Sequence, residues 1–120
     1  MSTDLRATWD TYTLAWKEPA PQAKMQAIRA STTATCVYRD PLACTQGQDA
    51  LVDYMMAFHQ QMPGGYFQTS YFLAHHDRSI SKWHMHNAEG VIVGEGVSYG
   101  EYDPQGRLQS MTGFFDVPQA

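Results

Sequence analysis

Residues 91–102 read VIVGEGVSYGEY, and this stretch decides the fold that the sequence predicts. Its β-branched and aromatic residues favour a strand, and successive side chains of a strand point to opposite faces. The even positions Gly94, Gly96, Ser98 and Gly100 therefore place four small residues on one face. Small residues leave space above that face, so we expect a long strand that opens a pocket. The alternative is a strand that contains glycine because it bends sharply.

Strand patterns flank this stretch on both sides. The expected neighbouring strands are Tyr66–His75, Ile80–Asn87 and Leu108–Val117. Turn sequences separate them, and Asp-Pro-Gln-Gly at 103–106 is typical of a β-turn. No helical period appears after residue 66. The second half of the chain therefore predicts hairpin-connected, antiparallel strands.

The first half of the chain has helical periodicity instead. Apolar side chains recur at steps of three and four residues in two segments, which is the pattern of an amphipathic helix. These stripes are Leu5, Trp9, Tyr12 and Trp16, and then Leu51, Met55, Phe58 and Met62. A second helix is expected from about Pro21 to Ala34, a short strand at Cys36–Tyr38 and a loop at Cys44–Gln48.

Helices followed by a run of strands predict an α+β fold. We expect a cone-shaped, curved antiparallel or mixed β-sheet with about three N-terminal helices on one face. Three helices cannot fully cover a strongly curved sheet of four long strands, so an apolar pocket should lie between the layers. The 120 residues suit a single domain spanning 1–120.

Composition and motifs exclude several classes of function. The chain has 8 Lys+Arg against 12 Asp+Glu, a net charge of −4, which argues against nucleic acid as a partner. No apolar run approaches the roughly 18 residues of a membrane-spanning helix, and the polar start indicates no signal peptide. Cys36 and Cys44 are expected to be free thiols in a reducing cytoplasm. No zinc-binding spacing, phosphate loop or dinucleotide motif is present, so we expect no metal and no cofactor.

Asp40 and Tyr12 are the first candidates for chemistry. Asp40 follows the short strand and precedes a proline, which favours extended or turn geometry for it. Burial beside an apolar wall disfavours a charged carboxylate, which is one route to a general base working near neutral pH. The alternative is an ordinary turn residue paired with Arg39. Tyr12 lies on the apolar stripe of the first helix, so its hydroxyl either bonds within the core or donates to a ligand oxygen.

Two histidines alternate with apolar residues in the strand 80–87. Trp83 and Met85 must lie on the face opposite His84 and His86. We expect the apolar pair to face the core and the histidines to face solvent or a partner subunit. In the other register, the histidines would line the pocket as candidate acid/base groups.

The order of these features resembles the nuclear transport factor two-like superfamily, and within it the SnoaL-like polyketide cyclases and ketosteroid isomerases. The resemblance covers nearly the whole chain. It is carried by Tyr12 within residues 9–16, by Val37–Pro41 with Gly47 after it, and by the run Gly94–Phe115. The family implies a cone-shaped α+β barrel with an apolar pocket, and commonly a homodimer that packs through the outer face of the sheet.

The resemblance also assigns roles to individual residues. Asp40 falls on the position of the proton-shuttling base and Tyr12 on that of the enolate-stabilising donor. The second donor falls near Ser98, which is not a carboxylic acid. Loss of one such donor typically lowers the rate by about 10²–10³, so a cyclase-like reaction fits better than steroid isomerisation.

We therefore expect a cofactor-free enzyme for an apolar, carbonyl-bearing small molecule, with Asp40, Tyr12 and Ser98 as the catalytic residues. The expected binding wall comprises Trp9, Trp16, Phe58, Trp83, Met85 and Phe114, with His84 or His86 helping to orient the ligand. Two alternatives stay open. One is a non-catalytic ligand-binding or dimeric interaction protein, and the other is a dehydratase or hydrolase of the same fold that uses a histidine.

Overall fold

The structure, a computed structural model, describes residues 4–117. Its helices are α1 (Leu5–Lys17), α2 (Pro21–Ser31) and α3 (Gln48–Gln61). Its strands are β1 (Thr32–Asp40), β2 (Ala43–Gln46), β3 (Tyr66–His75), β4 (Arg78–His86), β5 (Ile92–Tyr102) and β6 (Leu108–Phe114). None of the described helices is long and apolar enough to cross a membrane.

All six strands belong to one mixed sheet in the order β2-β1-β6-β5-β4-β3. Only β1 and β6 run parallel, and the other neighbours are antiparallel. The helices pack on the concave face, where α1 contacts β3 and α3 contacts β1. The predicted α+β class with three helices and a mixed sheet is confirmed.

The prediction of a helix continuing to Ala34 was wrong. The helix α2 ends at Ser31, and β1 begins at Thr32. The side-chain hydroxyls of Ser31 and Thr32 donate to the carbonyl oxygens of Ala27 and Ile28, which satisfies acceptors at the end of the helix. The β-branched threonines that follow then favour extended chain.

The loop expected at Cys44–Gln48 was also wrong, because Ala43–Gln46 forms the strand β2. The cause is local: Oδ1 of Asp40 accepts hydrogen bonds from the backbone N–H groups of Leu42 and Ala43. This arrangement turns the chain sharply, and Asp40 pairs with Ala43 at the start of a hairpin.

A buried lysine helps to hold the helices α1 and α2 together. Lys24 on α2 donates from Nζ to the carbonyl oxygen of Ala15 on α1 at 2.9 Å. Burial lowers the pKa of Lys24 to about 8, and the charge of Glu18 acts in the opposite direction. A cation at the C-terminal end of α1 also faces the negative end of the helix dipole.

The small-residue face of β5 lies on the concave side, but only part of it is open. Gly94 and Ser98 border the cavity, whereas the Trp83 indole covers Gly96 and the Leu108 side chain covers Gly100. Glycine is required at Gly96 because of this close approach.

We predict that Gly96→Ala destabilises the protein by about 1–3 kcal/mol, whereas Gly113→Ala does not. A Cβ at Gly96 would lie 2.6 Å from the Phe114 carbonyl oxygen and against the Trp83 ring. A Cβ at Gly113 would meet its nearest neighbour, Cβ of Asp40, at an ordinary 3.7 Å. Urea unfolding of both variants measures the difference, and equal midpoints would contradict the packing described for Trp83.

Candidate functional site

A cavity of about 580 Å³ lies between the concave face of the sheet and the three helices. Nine aromatic side chains belong to its wall: Trp9, Tyr12, Trp16, Tyr38, Tyr54, Phe58, Phe67, Trp83 and Phe115. Trp16 lies at the centre of this group, since its ring centroid is 5.4–6.1 Å from those of four others. The size and the apolar lining are typical of a site for a small organic molecule.

Asp40 is the most extensively hydrogen-bonded side chain at this cavity. Its Oδ2 accepts from the hydroxyls of Tyr38 at 2.7 Å and of Tyr54 at 2.8 Å. Its Oδ1 accepts from the backbone N–H groups of Leu42 at 2.8 Å and Ala43 at 2.9 Å. A carboxylate has about four acceptor positions, so all of them are used. Among the ion pairs of residues 4–117, none joins Asp40 to Arg39, so the simple turn pairing is not observed.

The two phenols that bond Asp40 remain protonated over a wide range of pH. Burial is the largest cause that raises the pKa of Tyr38, and the hydrogen bond to Asp40 and its charge raise it further. Burial also leads among the causes that raise the pKa of Tyr54, followed by the same hydrogen bond. Both hydroxyls therefore stay hydrogen-bond donors to the carboxylate at neutral pH.

Tyr12 is buried in the same wall and also resists ionisation. Burial is the main cause that raises the pKa of Tyr12, and the nearby charge of Asp40 adds to it. Its hydroxyl oxygen accepts from Nε1 of Trp16 at 3.1 Å. Within the described part of the chain the Tyr12 hydroxyl proton has no acceptor, so this group can still donate to a ligand oxygen.

Two further polar groups of the wall have unused donors. Ser98 Oγ accepts from Nε1 of Trp83 at 2.9 Å, which leaves the hydroxyl proton of Ser98 free to donate. Trp9 Nε1 is buried with no acceptor among residues 4–117. The cavity therefore combines one anchored carboxylate with neutral hydrogen-bond donors.

The structure brings most of the predicted site residues together. Asp40, Tyr12, Ser98, Trp9, Trp16, Phe58, Trp83 and Met85 all border the cavity. Phe114 does not, because it lies on the opposite face of β6 and is 57% exposed, and the next residue, Phe115, borders the cavity instead.

His84 and His86 are not brought to the cavity. Trp83 and Met85 border the cavity and the histidines do not, which is the expected register and not its alternative. The expected exposure to solvent fails for His86, which is buried at 8% exposure. Nε2 of His84 lies 3.8 Å from Oε2 of Glu95, and His86 stacks on Tyr66 with its Nδ1 3.1 Å from the Gly90 carbonyl oxygen. Their assignment as ligand-binding residues has no support in these positions.

Sequence reasoning missed Tyr38 and Tyr54, the two partners of Asp40. A usable signal existed for Tyr38, because residues two apart in a strand share a face. Tyr54 is three residues after Leu51, at a spacing that also places it on the inner side of the third helix.

No cluster of His, Cys, Asp and Glu suited to a metal ion occurs within residues 4–117.

Neither the protein-family models nor the curated proteins contain a match to this chain. Solved structures do match. A "putative isomerase of the SnoaL-like family" from Agrobacterium tumefaciens has a TM-score of 0.86 at 23% identity, over 93% of this chain and 97% of that one. A "putative polyketide cyclase" from Sinorhizobium meliloti has a TM-score of 0.72 at 13% identity, over 92% and 99%.

An NTF2-like protein of unknown function from Cytophaga hutchinsonii has a TM-score of 0.72 at 10% identity, over 97% of this chain and 93% of that one. Sequence identities this low show a shared fold but do not show a shared reaction. The chain therefore has the α+β fold of the NTF2-like and SnoaL-like structures.

Proposed function

We propose that this protein is a cofactor-free acid/base enzyme of the isomerase or cyclase type, acting on an apolar, carbonyl-bearing small molecule in the cavity. The observation that carries the proposal is the placement of Asp40. A carboxylate is anchored by four hydrogen bonds at an aromatic cavity that also holds the free hydroxyl proton of Tyr12. Two similar structures, named a "putative isomerase" and a "putative polyketide cyclase", support the same class of chemistry.

In the proposed reaction, Asp40 removes a proton from the carbon next to the ligand carbonyl. The C–H electron pair forms a carbon–carbon double bond, and negative charge moves to the carbonyl oxygen. Tyr12 donates a hydrogen bond to that oxygen, where charge develops. Asp40 then returns the proton to a ligand carbon. Alternatively, the enolate carbon attacks a second carbonyl carbon of the same ligand to close a ring, the electron pair of that C=O bond moves to its oxygen, and Asp40 gives its proton to the resulting alkoxide.

The base must release one of its hydrogen bonds to accept a proton. Tyr54 is the partly exposed member of the two phenols, whereas Tyr38 is buried. We propose that the Tyr54 hydroxyl turns away when Oδ2 accepts the proton, while Tyr38 and the two backbone N–H groups keep the carboxyl group in position. Ser98 orients the ligand through its free hydroxyl proton.

A purely ligand-binding role is the second candidate. It is favoured by the complete hydrogen bonding of Asp40, because the acceptor positions that a base would use are already occupied. A histidine-dependent dehydratase or hydrolase has no such support, because no histidine borders the cavity within residues 4–117.

We predict that Asp40→Asn lowers catalysed proton exchange by about 10²–10⁴. The substrate is 2-tetralone, an apolar cyclic ketone, and the assay is the NMR loss of the proton signals next to its carbonyl in D₂O. Asparagine fits the site because its NH₂ group can donate to the two phenol oxygens, which accept as well as donate. Asp53→Asn, at an exposed position of α3 outside the cavity, is the control and should exchange at the wild-type rate.

Equal exchange rates for Asp40→Asn and the wild-type protein would remove Asp40 from the mechanism. Circular dichroism and urea unfolding check that both variants are folded. A protein that binds 2-tetralone but never accelerates exchange would favour the binding role.

We predict that Tyr12→Phe lowers the same exchange rate by about 10²–10³, the usual effect of removing one oxyanion donor. The matched control is Tyr102→Phe, which removes another buried phenol hydroxyl, 2.7 Å from Ser79 Oγ and away from the cavity. If the two variants lose activity equally, Tyr12 has a structural role only.

The buried phenols also predict a late alkaline titration. The folded-state pKa values of Tyr12, Tyr38 and Tyr54 are raised, so these groups stabilise the fold below the ordinary tyrosine pKa of about 10. That stability is lost as the pH rises from there towards the folded-state values. We expect part of the tyrosinate absorbance to appear only together with unfolding. Complete tyrosine ionisation in a protein that keeps its folded circular dichroism spectrum would contradict the buried positions.

A further inference from the structure

The charges around the cavity are all of one sign. Asp40 and Asp116 border it, whereas no lysine, arginine or histidine does among the described residues. Glu95 borders it too, but its carboxylate is 81% exposed and lies towards His84. The chain has 8 Lys+Arg and 5 His in total, and those within residues 4–117 lie elsewhere.

The negative charge of Asp40 is stabilised without being neutralised. Its four partners are two phenol hydroxyls and two backbone N–H groups, all of them neutral. Within residues 4–117, neither Asp40 nor Asp116 takes part in an ion pair. The carboxylate therefore keeps an attraction for a cation, strengthened because the apolar wall screens it less than water does.

The aromatic wall of the cavity also favours a cationic ligand. The faces of indole, phenol and phenyl rings carry negative electrostatic potential and attract cations. In the described part of the chain, the rings already covered by Arg6, Lys17 and Lys82 are those of Phe72, Tyr66 and Tyr71, and none of these borders the cavity. The rings of the cavity wall are free to receive a charged ligand.

We infer that the natural ligand of this cavity is an apolar molecule that carries a protonated amine, and that carboxylate- and phosphate-bearing molecules are excluded. The inference deepens the proposed function, since it takes the same cavity as the site of an amino ketone. The ring system and carbonyl group lie against Tyr12 and Asp40, and the ammonium group lies towards Asp116. An anionic ligand would lose its hydration there and would meet no cation.

Three probes with one bicyclic frame test this directly. They are 2-aminotetralin, 2-tetralone and tetralin-2-carboxylic acid, which are cationic, neutral and anionic at neutral pH. All three tryptophans of the chain border the cavity, so quenching of intrinsic fluorescence reports binding. We expect the amine to bind roughly tenfold more tightly than the acid, with the ketone between them. The difference should shrink from about 0.05 to about 0.5 M salt.

Two variants test whether Asp116 contributes to the binding of the amine. Asp116→Asn should weaken binding of 2-aminotetralin about threefold or more, because it removes a carboxylate from the cavity border. Asp53, like Asp116, is exposed, and Asp53→Asn removes a carboxylate away from the cavity, so it should leave the amine affinity unchanged.

The results separate this inference from the proposed function. Preference for the amine without catalysed exchange of 2-tetralone supports the inference and contradicts the enzyme. Catalysed exchange together with equal or tighter binding of the acid supports the enzyme and overturns the inference. Failure of all three probes to bind overturns both.

Discussion

The hydrogen bonds to the Asp40 carboxylate are the interaction on which the rest of the site depends. Through Oδ1, this side chain forms the turn between β1 and β2, and through Oδ2 it joins β1 to Tyr54 on α3. The same contacts hold the carboxylate at the cavity. Hydrogen bonds to charged groups are stronger than those between neutral groups, so one residue both shapes the local chain and fixes the site.

The hydrogen bonds to Asp40 have two opposing effects on its use as a base. Four donors hold the carboxylate in place, which favours precise positioning, but they also occupy the lone pairs that a base must use. The two phenols differ in burial, with Tyr38 in the core and Tyr54 partly exposed. That difference offers a way for one bond to be released while the others hold. The aromatic wall, and the absence of a cation at the cavity border within residues 4–117, are the basis on which we infer which ligands approach the carboxylate.

The amount that could be predicted from the sequence differs from one part of the molecule to another. Helical stripes and strand alternation were sufficient for α1, α3 and the four strands β3 to β6, because these elements bury one face each. The strand β2 and the end of α2 were missed, since both depend on side-chain-to-backbone hydrogen bonds that periodicity does not reveal. Tyr12 and Asp40 were predicted as site residues from their places in the sequence. Tyr38 and Tyr54 were not, because their role depends on the contact between β1 and α3 in the folded protein. Dimerisation through the outer sheet face stays a prediction.

The most direct measurement is a crystal structure with bound 2-naphthol, a stable analogue of the enol of 2-tetralone. The account predicts that the naphthol oxygen accepts a hydrogen bond from the Tyr12 hydroxyl. It also predicts that a ring carbon adjacent to the oxygen-bearing carbon lies against the Asp40 carboxyl group. A naphthol bound outside the cavity, or inside it with its oxygen away from Tyr12 and Asp40, would contradict the account.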